Sequence, residues 1–98
     1  MIEYKVRVYA NGTKEWWLNG KHHREDGPAV ERADGTKEWY INGKRHREDG
    51  PALEYPDGPK RWLLNGKYLT EEEHREQTQG YANKVIEIDG KQYKLVEL

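Results

Sequence analysis

The sequence has no cysteine, no serine and no phenylalanine, and its hydrophobic fraction is only 34%. Without cysteine there are no disulfides, thiolate metal sites or thiol nucleophile, which suits a reducing compartment. Without serine, the hydroxyls left for nucleophilic catalysis are Thr13, Thr36, Thr70, Thr78 and the tyrosines, and no residues form a nucleophile-base-orienter pattern. No apolar run approaches the roughly 20 residues of a membrane-spanning helix. Met1 to Tyr9 alternates charged with apolar residues instead of presenting a signal-peptide core. Charge is balanced as well: 17 Lys+Arg face 18 Asp+Glu, a formal net charge of -1, so nothing draws the whole chain to polyphosphate or anionic lipid. Every glycine except Gly80 lies in a turn context such as NG, DG or DGP, so there is no glycine-rich phosphate loop. These absences set the expectation of a soluble, cytoplasmic, non-enzymatic protein without a cofactor, with membrane and nucleic acid disfavoured as partners.

What is present is aromatic and periodic. Four Trp and seven Tyr supply most of the available burial, each ring removing about 150 to 250 Å² from water. A chain of 98 residues fits one domain. Asn11 to Ala33 reads NGTKEWWLNGKHHREDGPAVERA, and Asp34 to Pro56 reads DGTKEWYINGKRHREDGPALEYP, a 23-residue unit copied in register. A third copy starts at Asp57 as DGPKRWLLNGK and departs after Lys67. Each unit has an opener (Asn11-Gly12, Asp34-Gly35, Asp57-Gly58) and an internal Asn-Gly (Asn19-Gly20, Asn42-Gly43, Asn65-Gly66). Both read as type I′ hairpin turns, which need positive φ at both central residues.

Side chains alternate along the strands between those turns. Trp16, Leu18, Trp39, Ile41, Trp62 and Leu64 share one face, read here as the core, and Trp17, Tyr40 and Leu63 form a stripe on the other, with Lys14, Lys37 and Lys60 near its edge. Ile2, Tyr4, Val6 and Val8 alternate with charge, predicting an N-terminal capping strand with one buried face. Thr70-Glu71-Glu72-Glu73 is a capping-box signature for a short helix, with Gly80 as its stop. Val85 to Val96 reads as a hairpin around Asp89-Gly90 that would cover the open end of the sheet. The predicted architecture is therefore mainly β: tandem hairpins in an elongated antiparallel sheet, with a capping strand over 1–10, repeats over 11–67, a helix or linker over 68–83 and a terminal hairpin over 84–98.

The unit resembles the MORN-like class of 23-residue hairpin repeats, which share the DG opener, the aromatic strand and the NGK turn, over Asn11 to Lys67. The closer likeness is to the variant W-Y-x-N-G-K-x-H-R-x-D-G-P-A, here Trp39 to Ala52. The NGK turn comes two residues earlier than in the usual MORN unit, and HREDGPA replaces its glycine-spaced return. Such arrays are similar to those of bacteriophage and large DNA virus proteins. The resemblance implies a small viral protein that binds and inhibits a host factor, such as a CRISPR-Cas component of antiviral defence.

The repeated His23-Arg24-Glu25-Asp26 and His46-Arg47-Glu48-Asp49 admit two readings. As metal ligands the His and Asp residues of both copies would have to converge on one cation, against a spacing of two strands between equivalent residues. As structure, the Asp residues accept backbone N–H groups in the turn while His and Arg pack across the repeat interface. The aromatic stripe likewise reads either as an interface anchor or as a surface covered by the C-terminal elements. The sequence thus points to a protein-binding module whose candidate partner-binding residues are Trp17, Tyr40, Leu63, His23, Arg24, His46, Arg47 and Glu48. A homodimer formed by edge pairing is a further expectation. The alternatives are a self-assembling structural or scaffold protein and a metal-dependent enzyme using the His/Asp repeats.

Overall fold

The computed structural model describes residues 2–78 and 85–94. Its sheet is an antiparallel meander. β1 (Lys5–Val8) lies at one edge beside β2 (Lys14–Leu18), followed by β4 (Val30–Glu31), β5 (Lys37–Glu38), β8 (Leu53–Glu54), β9 (Lys60–Leu64) and β10 (Lys67–Leu69). β3 (Lys21–His22) pairs with β2, and β6 (Tyr40–Ile41) with β7 (Lys44–Arg45). Helix α1 spans Glu71–Thr78, and β11 (Val85–Ile88) pairs with β12 (Lys91–Lys94) in a separate two-stranded sheet.

Each long strand changes partner at its tryptophan. In β2, Lys14 and Glu15 pair with the return strand β4, whereas Trp17 and Leu18 pair with β3 of the hairpin. Trp16 bridges the two halves, its N–H donating to Ala29 O at 2.8 Å and its carbonyl accepting from His23 N at 3.2 Å. The second repeat makes the same join at Trp39 with Ala52 and His46. The return path is split because the HREDGP segment leaves the sheet between β3 and β4, as a segment ending in proline must.

The two turn types differ. The internal Asn-Gly turns are type I′, with Asn19, Asn42 and Asn65 at φ 50 to 52° followed by a glycine at φ 76 to 81°. The openers are not: at Asn11-Gly12 and Asp34-Gly35 only the glycine has positive φ. Gly12 N donates back to Tyr9 O, and Gly35 N to Arg32 O. This is the three-residue loop in which a type I turn ends in a left-handed glycine. The Asn11 and Asp34 side chains accept the N–H of Thr13 and Thr36, respectively. The third opener has Pro59 at that place, with no N–H to donate, and Gly58 does not take positive φ.

Registers define two faces. Lys14, Glu31, Lys37, Glu54 and Lys60 follow one another as cross-strand partners and form a ladder of alternating charge on one face. Glu15, Val30, Glu38, Leu53 and Arg61 form the corresponding row on the other. Among the described residues, the buried apolar ones are Ala29, Val30, Ala52, Leu53 and Leu63. The core therefore centres on the short return strands and Leu63. Trp16, Leu18, Trp39, Ile41, Trp62 and Leu64, expected as the core, are half-buried on the ladder face. The expected stripe face, by contrast, carries Val30, Leu53 and Leu63. Buried residues thus lie on both faces, since Ala29 and Ala52 stand opposite Trp16 and Trp39, and period-2 alternation assigns residues to faces without saying how deeply each is covered.

β1 pairs with β2 as its alternation predicts, with Val6 opposite Trp16 and Val8 opposite Lys14. It has no buried face, however, since Ile2, Tyr4, Val6 and Val8 are all exposed. At the other end the capping box is present: Glu73 N donates to Thr70 Oγ1 and Thr70 N to Glu73 Oε1, both at 3.0 Å. Helix α1 starts there, and β10 takes Tyr68 and Leu69 from the stretch expected as helix or linker. Gly80, the expected stop, lies outside the described residues. The terminal hairpin turns at Asp89-Gly90 as expected, and among the described residues its strands hydrogen-bond only to each other.

Candidate protein-binding face

The HRED motif explains itself residue by residue once the loop is closed. The Arg24 guanidinium lies over the Trp16 indole at 4.0 Å from the ring centroid. Its Nε donates to Asp26 Oδ1 at 2.9 Å and its Nη1 to the Pro28 carbonyl at 3.1 Å. A Cβ on Gly27 would sit 2.9 Å from Arg24 Cζ, so the guanidinium occupies the space that glycine leaves. The second copy repeats the buckle with Arg47, Trp39, Asp49, Pro51 and Gly50. Asp26 and Asp49 thus accept from arginine, not from the turn backbone as expected.

The histidines join repeat to repeat. His23 Nδ1 accepts the Asn42 N–H and His46 Nδ1 accepts the Asn65 N–H, both at 2.9 Å. Around each clasp, Arg24 N donates to Tyr40 O and Gly43 N to His22 O, with Arg47, Leu63, Gly66 and Arg45 making the same pair one repeat later. His23 is 5% exposed, and its Nε2 lies 3.6 Å from Glu25 Oε1 of its own loop. Among the described residues, no group of three or more His, Cys, Asp or Glu side chains is placed to hold a metal ion. At the third copy, Thr70 stands where Arg24 and Arg47 stand in the repeats and starts α1. His74 of that helix is buried and its Nε2 donates to Arg47 O at 2.5 Å. Trp62 shares a shallow depression with Pro51, Glu71, His74 and Arg75, so the helix closes the array where a third buckle would have been.

On the opposite face the rings run in a row. The Trp17 and His22 centroids are 3.9 Å apart, and those of His22 and Tyr40 are 5.1 Å apart. Tyr40, Lys44, Arg45, Leu63 and Tyr68 line a shallow depression that continues the row. Another, lined by Glu3, Lys5, Arg7 and Trp17, extends it toward β1. Two carboxylates fix the rings from below. Glu15 Oε2 is 2.6 Å from His22 Nε2, and hydrogen bonds from Tyr9 first, then His22, hold its carboxyl below the ordinary range. Glu38 is only 2% exposed and accepts from Arg45 Nη2 at 2.8 Å, Arg32 Nε at 2.9 Å and Tyr40 Oη at 3.1 Å. Burial pushes Glu38 up, but the bonds and charges of Arg45 and Arg32, with Tyr40, outweigh it and leave the carboxyl below its usual value.

The predicted site residues therefore separate. Trp17 and Tyr40 lie in one row, half-buried and facing outward with His22 between them. Leu63 is on the same face but is 1% exposed, a core residue and not a contact for a partner. Buried His23 and half-buried His46 serve as clasps through Nδ1, and Arg24 and Arg47 are structural buckles. Glu48 is exposed on its loop, away from the aromatic row. Sequence reasoning missed His22, Arg45, Tyr68 and Glu38. Pairing across the Asn-Gly turn brings His22 opposite Trp17, Arg45 opposite Tyr40 and Tyr68 opposite Leu63, and the two-residue turns carried that signal. In comparisons with protein-family models, curated proteins and solved structures, nothing matches this chain.

Proposed function

We propose that this protein is a non-catalytic binding module that engages another protein through the face bearing Trp17, His22, Tyr40, Arg45 and Tyr68. The observation that carries the reading is the row itself: aromatic rings in ring-to-ring contact, half-open to solvent and anchored by Glu15 and Glu38. Tryptophan, tyrosine and arginine are the residues that dominate interface energetics, and rings already held in place lose little freedom on binding. The narrower version, a viral inhibitor of a host factor such as a CRISPR-Cas component, is supported by the resemblance of the repeats to phage and large DNA virus arrays.

The test is affinity capture from a candidate host lysate with the wild type, a Trp17→Ala/Tyr68→Ala variant and a Lys60→Ala control on the ladder face, each shown folded by circular dichroism. Tyr40 is left intact because its hydroxyl serves Glu38. A host protein retained by wild type and control but lost by the aromatic variant supports this face. Equal retention by all three, or by none, sinks the proposal.

A further inference from the structure

We infer that two copies of the chain pair through β1, antiparallel about a two-fold axis at Lys5, to make one continuous sheet. This goes beyond the proposed binding face and does not depend on it. β1 is an edge strand: among the described residues it hydrogen-bonds to β2 alone. Tyr9 N and O point into the hairpin, bonding Thr13 O and Gly12 N. By alternation, the backbone groups of Val8, Val6 and Tyr4 point outward to the free edge. Ile2, Tyr4, Val6 and Val8 are exposed, at 76, 38, 49 and 63%, and β1 carries neither a proline nor a positive φ. A free edge with apolar side chains is a template for another strand.

Charge complementarity selects a second copy as the occupant and, together with the length of strand paired, fixes its register. With Lys5 opposite the partner's Lys5, Glu3 falls opposite the partner's Arg7 and Arg7 opposite the partner's Glu3. The same register sets Tyr4 opposite the partner's Val6 and Ile2 opposite the partner's Val8. Those are the positions with outward backbone groups, so the ladder bonds form between the apolar pairs. Lys5 lies diagonal to the partner's Glu3, which offsets the like charge at the axis. Moving the axis to Val6 would set Lys5 against the partner's Arg7 twice, and moving it to Tyr4 would keep Glu3 against the partner's Lys5 but leave Arg7 without a carboxylate and Val8 without a residue opposite.

Head-to-tail stacking fails on the same grounds. β1 is the 23-residue equivalent of β4, with Val6, Arg7 and Val8 standing for Ala29, Val30 and Glu31. Continuing the array would place it beside β9, as β4 lies beside β2. That register sets Arg7 against Arg61 and Val8 against Lys60, where the repeats have Val30 against Glu15 and Glu31 against Lys14. The symmetric pair closes on itself, so it gives a dimer and not a filament.

Sedimentation equilibrium on the full chain across a wide concentration range tests this, with circular dichroism as the folding control. The mass rises with concentration from 11.6 kDa toward twice that value and stops there. Val6→Pro removes only an outward N–H, which an edge strand tolerates, and abolishes the rise while leaving the fold intact. Glu3→Arg and Arg7→Glu each weaken dimerisation at least tenfold. Mixing the two variants in equal amounts restores it, because both charge pairs then form between unlike chains. A mass fixed at 11.6 kDa at every concentration, growth beyond a dimer, a dimer indifferent to Val6→Pro, or no recovery on mixing overturns the inference.

Discussion

Glu15 and Glu38 hold the same place in successive repeats, yet their surroundings differ. Glu15 is met by His22 and Tyr9, neutral or weakly basic groups, whereas Glu38 is gripped by two guanidiniums and a phenol. In the third copy the position is Arg61, which is exposed. The backbone frame around the first two sites hardly varies, because openers, Asn-Gly turns, alanines and arginine buckles build it without help from the middle of the row. Variation concentrates on the face proposed to bind a partner, and conservation of form lies on the ladder face.

The comparison breaks most sharply at Glu38. Glu38→Ala leaves Arg32, Arg45 and Tyr40 without their shared acceptor. It is expected to cost about 2–3 kcal/mol in urea unfolding, below the value for a fully buried pair because Arg32 and Arg45 are partly solvated. Glu15→Ala, removing one histidine bond and one tyrosine bond, is expected to cost about 1 kcal/mol. Equal losses would show that the two sites are energetically alike despite their partners.

Arg47→Ala removes a cation-π stack, a carboxylate bond and a carbonyl bond, and is expected to cost about 2 kcal/mol. Arg47→Lys recovers less than half of this, since an ammonium cannot span Asp49 and Pro51 while lying flat on Trp39. Gly50→Ala, whose Cβ would come within 2.7 Å of Arg47 Cζ, displaces the guanidinium and costs about 1 kcal/mol, within the ordinary range for point substitutions. Thermal melts of these variants rank the contributions. A Gly50→Ala loss surviving undiminished in the Arg47→Ala background would show that the buckle is not its cause.

Thr70→Ala, which opens the capping box, is expected to cost about 1 kcal/mol, read as lost α1 protection in hydrogen exchange with the sheet unaffected. A smaller effect is expected from acid. Glu38 and Glu15 both have folded-state values below the ordinary carboxyl pKa of about 4.3. Their stabilisation is fully present above that value and is lost as pH falls through the lower folded values, where the unfolded chain binds the proton first. Glu38→Gln should therefore flatten the decline in stability between neutral and acid pH more than Glu15→Gln does. A reversed order would mean that Glu15 has the stronger partners.

The repeat, its register and the short helix were legible because their signals are local. An Asn-Gly pair marks a tight turn with a left-handed glycine, and a threonine three residues before a glutamate caps a helix. The HREDGP motif was visible as a pattern but not as a mechanism. Nothing local says that Arg24 folds back over Trp16 while Asp26, Gly27 and Pro28 close around it. How deeply each side of the sheet is covered, why Leu63 lies inside while Trp17 stays half-open, and why Glu38 finds two arginines, one just past β4 and one in β7, were decided by tertiary structure alone. Alternation along a strand sorts residues into two sets with equal claim to the interior. Only the arrival of return strands and turns from neighbouring repeats decides which set loses its water.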